Sequence, residues 1–230
     1  MRKVCSFIIK ILVLALCVVA FTIFSGGDNG EEITWAVMFM YFTGQSNLWI
    51  ALVFVALIVF FILRWANAIK QIPRFLYILK FVFTVCISMT LLVFCGVIAP
   101  FAGSSYNAWA GYSVITHLAV PVLSIADFFI DDYPLVLCNK EPLYAFLPPV
   151  IYFSITSVLC VLKVNFGRGY PFPYFFMNFY SKVGMFGFEW GNPPLIGSAY
   201  WFIILTLCFS LITLALYFLS KSKKSLSKAR

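Results

Sequence analysis

The sequence predicts an all-α integral membrane protein with about six transmembrane helices and both termini in the cytoplasm. Three observations carry that reading. Of the 230 residues, 63% are hydrophobic and only 10% charged, whereas a soluble domain usually carries about 25% charged residues. Surface-to-volume scaling leaves a domain of this size a large exterior, so the solvent for so much apolar surface is lipid. Within lipid only helices or a closed barrel satisfy the backbone. The apolar runs here are long and continuous, unlike the ~10-residue alternating segments of a barrel. The third observation is a lopsided placement of Lys and Arg between the loops.

The first span is residues 6–24, behind Arg2 and Lys3. Its end, Phe21-Thr22-Ile23-Phe24, lacks the small residues of a signal-peptide cleavage site. The second apolar run, 34–63, is longer than the ~20 residues that suffice to cross, so a tilted or projecting helix is expected. The third is 75–99, stopping at Pro100. The fourth is placed at 108–130, ahead of Asp131 and Asp132, with a start blurred between 106 and 113. The fifth is 143–164 and the sixth 199–219, followed by a basic tail, 221–230. With no internal repeat, low-complexity tract or linker, residues 1–230 form one transmembrane domain.

With the N-terminus inside, the cytoplasmic side holds Arg2, Lys3, Arg64, Lys70, Arg74, Lys80, Lys140 and the five tail charges Lys221, Lys223, Lys224, Lys228 and Arg230. Only Lys163, Arg168 and Lys182 fall opposite, and twelve against three fixes the orientation by the positive-inside rule. Lys10, Lys80 and Lys163, near helix ends, are expected to snorkel to the surface. The net charge of +8 sits at span ends and in the tail. It therefore suits anionic lipid headgroups, at ~1 kcal/mol per charge near the surface, and no nucleic-acid partner is expected. The localisation that follows is a cell membrane, with the Lys-rich tail and brief loops suggesting a bacterial plasma membrane. The seven cysteines show no C-x-x-C and no metal-ligand spacing.

The loop 165–197 is too aromatic for free aqueous chain. It holds Tyr170-Pro171-Phe172-Pro173 and then Phe175, Phe176, Phe179, Phe186, Phe188 and Trp190. It either lies at the outer interface as an aromatic belt or folds back as a lid.

Polar side chains in lipid are costly and tend to face the bundle interior. They cluster at Thr43-Gly44-Gln45-Ser46-Asn47 in the second span, where Thr43 and Asn47 share a helix face. Such residues can also be packing glue between helices. His117 is the single histidine. Pro121, one turn on, lacks the N–H for the His117 carbonyl, so a kink is expected there. His117 lies fourteen residues before Asp131, ~21 Å above the inner surface at 1.5 Å per residue. Thr43 is nine residues from position 34, at most ~14 Å below the outer one. Both therefore reach the outer half of the bilayer and are able to meet. Asp127, ten residues from His117, is ~15 Å away along the helix and too far to orient the ring. A lone histidine excludes multi-histidine metal sites and bis-histidine haem, so no metal and no cofactor are called for.

Tyr41-Phe42-Thr43 opening the polar patch, the single His117 with its following proline, and the late Tyr-Pro-Phe-Pro segment together resemble the androgen-induced-protein-like six-helix membrane hydrolases. Bacterial members often carry threonine followed by Gln-Ser-Asn-Leu, as at Thr43 to Leu48. The resemblance implies an intramembrane hydrolase with a threonine nucleophile, Thr43, and a histidine base, His117. The substrate class it implies is lipid esters, the animal members cleaving fatty acid esters of hydroxy fatty acids. Gln45, Ser46 and Asn47 are the candidate oxyanion donors by proximity. No third triad member is evident in the sequence. Two alternatives share these residues: a small transporter or channel subunit with a polar path lined by Thr43 to Asn47 and His117, and a membrane acyltransferase using the same dyad.

Overall fold

A computed structural model of the chain describes residues 2–25, 35–100, 107–130, 137–167, 169–191 and 195–228. Thr34, Asp131, Asp132, Arg168 and Arg230 lie outside these residues. Among the described residues six helices are long and apolar enough to cross a membrane.

Helix α1 is Arg2–Ser25. The second apolar run is two helices rather than one: α2 is Trp35–Met40, and α3 is Phe42–Trp65. Tyr41 between them is extended (φ −93°, ψ 140°). The long run thus resolves by a break instead of a tilt. Helix α4, Arg74–Val93, continues into a π turn, Phe94–Ile98. Helix α5, Gly111–Val114, passes through a second π turn, Ile115–Ala119, into α6, Val120–Ile130. The second π turn ends just before Pro121, and the Val120 N–H reaches back five residues to the Ile115 carbonyl. A widened turn takes up the mismatch that a proline without an N–H introduces. The fifth span opens as a 3-10 turn, Glu141–Phe146, and continues as α7, Leu147–Val161. The last helix, α8, is Ser198–Lys228, so the helix runs on into the basic segment. A two-residue antiparallel ribbon, Phe188–Glu189 with Leu195–Ile196, precedes it.

Helix α4 is the centre of the bundle, with α7 and α8 on the periphery. Val13, Ile50, Phe54, Phe81, Val85 and Val120, drawn from four spans, are each fully buried. Equally apolar residues of α3, among them Leu52, Val55, Val59 and Ile62, are exposed. A helix apolar all round with half its surface uncovered fits a lipid solvent.

The two ends of the bundle differ in chemistry. At the end where α1 and α4 begin and α6 stops, the Asp127 carboxylate bridges two lysines. Lys10 Nζ lies 2.9 Å from Oδ1 and Lys80 Nζ 2.5 Å from Oδ2. Ser6 donates to the same Oδ1 at 2.6 Å. Lys10 and Asp127 are 0% exposed and Lys80 3%. This corrects the expectation that Lys10 and Lys80 snorkel: a carboxylate on the facing helix and the Phe54 ring beneath both ammonium groups draw them inward. Lys163 instead sits over the Tyr180 ring at 5.2 Å. At the same end Arg74 pairs with Glu141 through both guanidinium nitrogens, and Tyr217 donates to Asn139 at 3.0 Å.

Removing one partner of a buried ion pair leaves the other charged and unpaired, costing about 3–5 kcal/mol. Asp127→Ala is therefore expected to lower stability by about that amount, read as a fall in the thermal unfolding midpoint in detergent. A variant that melts with the native protein would show that the cluster does not hold α1, α4 and α6 together.

Candidate active site

The break at Tyr41 makes Thr43 a first-turn residue of α3 rather than a mid-helix one. Two tyrosines pin the break: Tyr41 donates to the Phe166 carbonyl at 2.9 Å, and Tyr152 donates to the Met40 carbonyl at 3.1 Å. Gly44 makes the tight corner possible, because a Cβ there would lie 2.3 Å from the Met38 carbonyl oxygen. Backbones approach this closely only at glycine.

Across the bundle, the π turn of the fourth span carries His117, 7% exposed. The structure brings the two together: Thr43 Oγ1 lies 3.1 Å from His117 Nε2. The other ring nitrogen, Nδ1, lies 2.9 Å from the Ser113 carbonyl oxygen. A carbonyl only accepts, so Nδ1 carries the proton and the Nε2 lone pair faces the threonine hydroxyl. Ser113 Oγ and Thr116 Oγ1 stand near Nδ1 at 3.2 and 3.3 Å. Phe94, from the π turn of α4, stacks on the imidazole with centroids 4.4 Å apart and planes 20° apart. The ring is thus fixed in tautomer by a carbonyl and in tilt by a phenyl. Single π turns in helices often mark functional sites, and here one supplies each member of the stacked pair.

Gln45, Ser46 and Asn47 stand behind Thr43, not in front of its hydroxyl. Gln45 Nε2 donates to the Phe39 carbonyl at 2.8 Å, tying α3 back to α2. Ser46 Oγ lies 3.1 Å from the Thr43 carbonyl and 2.9 Å from Thr90 Oγ1. Asn47 Nδ2 donates to the Thr43 carbonyl at 2.8 Å and to the Thr116 carbonyl at 3.1 Å. These side chains spend their donors on backbone carbonyls, so as oxyanion donors they are displaced. Their geometry is that of braces joining the Thr43 turn to the His117 turn. The donor that does border Thr43 is its own backbone N–H, 3.4 Å from the Tyr174 hydroxyl. First-turn N–H groups of a helix have no intrahelical carbonyl.

Tyr174 belongs to the aromatic loop, whose first part folds over this site. Its ring meets Tyr41 edge to face at 5.6 Å and stacks on Phe176 at 4.9 Å. Phe166 and Met177 are buried. The later part stays outside, with Phe186 71% and Trp190 87% exposed. The two expectations for the loop therefore divide it between them: lid first, exposed aromatic rim afterwards.

Beneath the lid lies a cavity of about 340 Å³, lined by Thr43, Tyr174 and mainly apolar side chains of α4, α7 and α8. His117 adjoins it through the 3.1 Å contact with Thr43. Among the described residues, no group of three or more His, Cys, Asp or Glu side chains is placed to hold a metal ion.

The Ser113 carbonyl, Phe94 and Tyr174 join the site in the fold without having stood out in the sequence. Ser113, four residues before His117 on one helix, was the one available signal, since such a pair shares a face. Compared with protein-family models, with curated proteins and with solved structures, the chain matches none.

Gly44→Ala forces a methyl against the Met38 carbonyl, and overpacking of this kind costs about 1–3 kcal/mol. The expected result is a lower melting point together with loss of the Thr43–His117 contact, seen as a change in the His117 ring NMR signals. An alanine variant with native signals would show that the corner has slack.

Proposed function

We propose that this chain is a multi-pass membrane hydrolase of lipid esters in which Thr43 is the nucleophile and His117 its general base. The observation that carries the reading is the hydroxyl–imidazole pair at 3.1 Å with Nδ1 held by a carbonyl, set at the edge of an apolar cavity. A hydroxyl becomes an effective nucleophile when an adjacent base takes its proton, and imidazole serves that role near neutral pH.

In this reading an ester carbonyl sits against Thr43 with the acyl chain in the cavity. Nε2 takes the hydroxyl proton as Oγ1 bonds to the carbonyl carbon, and the oxyanion forms beside the Thr43 N–H and the Tyr174 hydroxyl. The ester C–O bond then breaks, and the imidazolium returns its proton to the departing alcohol. Water, deprotonated by the same nitrogen, attacks the acyl-threonine; the acyl C–O bond breaks, the imidazolium gives its proton to Oγ1, and the acid leaves with Thr43 restored. The Ser113 carbonyl does for the ring what a carboxylate does in a triad: it sets the tautomer and direction. Fatty acid esters of hydroxy fatty acids are the substrates to try first, since the motifs at Thr43 to Leu48 and at His117 resemble those of hydrolases acting on them. The site is placed in the outer half of a plasma membrane, with both termini cytoplasmic and the basic α8 extension against anionic headgroups, following the Lys and Arg distribution.

A fluorophosphonate probe tests this directly. Wild-type protein in detergent is expected to label at Thr43, located by mass spectrometry, and Thr43→Ala to give no label. His117→Ala should label about 10²–10⁴-fold more slowly, the usual contribution of a general base, while Thr43→Ser keeps labelling. Equal labelling of wild type and Thr43→Ala, or no turnover of any lipid ester, overturns the assignment. Adding hydroxylated acceptors to the assay separates hydrolysis from acyl transfer by the same dyad.

A further inference from the structure

The cavity has a shape that the dyad alone does not require. Thr43, Tyr174 and the first residues of α8 mark one end: the Thr43 N–H faces the Tyr174 hydroxyl, and the lid residue Phe175 packs on Trp201 at 5.6 Å. The α8 wall runs from Ser198 to Phe209, ~16 Å at 1.5 Å per residue. At the far end Phe209 meets Phe146 of the fifth span edge to face, centroids 5.1 Å apart. Phe209 is 4% exposed, so this pair floors the cavity. Part way along, Phe153 and Phe202 close the side between α7 and α8 at 4.7 Å. Among the described residues, no charged side chain lines the space.

Spread along ~16 Å of helix, a cavity of about 340 Å³ is an elongated bore, the shape of a hydrocarbon chain rather than of a compact ligand.

The geometry points to an acyl pocket in which the Phe146–Phe209 pair gauges chain length, so that the preferred chain is the one that spans the ~16 Å from Ser198 to Phe209 and longer chains are disfavoured. The substrate class is thus an ester of one unbranched, medium-length acyl chain, its carbonyl at Thr43 and its methyl end on the two phenyl rings. Which half of the ester lies there rests on the hydrolase reading; the fit of the chain itself does not. Phe209 acts here as a specificity residue, far from the reacting atoms.

The test has one arm with chemistry and one without. In the first, wild-type protein is assayed on 4-nitrophenyl esters of about six to sixteen carbons, a range on either side of a chain ~16 Å long. In the second, Thr43→Ala protein in detergent is photolabelled with fatty acids of the same lengths bearing a terminal diazirine, and labelled peptides are mapped. Both arms are expected to peak at one and the same chain length, with the photolabel on α8 around Phe209. Phe209→Ala should move both optima up by about two carbons or more, as a large-to-small change opens the floor. Leu205→Trp, which fills the bore, should move them down. Flat length profiles in both arms, or optima that neither variant shifts, overturn the pocket. Length-selective photolabelling without hydrolysis of any ester would keep the pocket and remove the hydrolase reading. Hydrolysis with a flat profile would do the reverse. If Phe209→Ala does not fold, Leu205→Trp decides the matter, because it removes space rather than support.

Discussion

Asp127 is the fixed point of this bundle. One buried carboxylate receives Lys10 from α1 and Lys80 from α4 while sitting on α6 itself. Three helices are thereby held in one rotational setting by charges buried away from solvent. Transfer of a bare ion out of water costs several kcal/mol even after relaxation, so sliding or rotating any of the three is penalised far more than shifting leucines against leucines. The apolar faces supply area without direction, and the ion cluster supplies direction.

That rotational setting is what reaches the other end of the molecule. His117 lies on the same continuous span as Asp127, and Phe94 on the same span as Lys80. Fixing Asp127 against Lys80 therefore sets the register in which Phe94 stacks on His117. The two π turns then rotate the parts of these spans remote from the ion cluster relative to straight helices. Thr43 arrives from a third direction, on a helix that starts anew at Phe42. The break leaves backbone carbonyls without helix partners, and side chains cover two of them: Tyr152 donates to Met40 and Gln45 to Phe39, as buried polar groups require. The Tyr41 hydroxyl ties the corner to the Phe166 carbonyl.

The same end is where packing thins. Helices α7 and α8 are the least covered of the six, and between them and α4 the chain leaves a cavity instead of a core. A tightly packed half with paired charges thus supports a hollow half that carries the Thr43–His117 contact. This division accords with the general preference of small-molecule sites for preformed, mainly apolar concavities with a few placed polar groups.

Hydropathy by itself determined the six spans, because the preference of a residue for lipid is local and adds up along the chain. It also singled out Thr43 and His117, since a polar residue in an apolar run stands out without knowledge of its neighbours. It misjudged Lys10 and Lys80: a lysine near a helix end looks the same whether it reaches outward to headgroups or inward to Asp127. It could not divide the run 34–63, because Tyr41 carries no helix-breaking signature, and the break comes from bonds to residues as distant as Phe166. Contact between residues 74 positions apart depends on how whole helices are rotated and shifted against one another. That is a property of pairs of faces rather than of any window of sequence. The Ser113 carbonyl as the imidazole's partner lay further out of reach, because every residue has a carbonyl and only the folded backbone decides which one turns toward a ring.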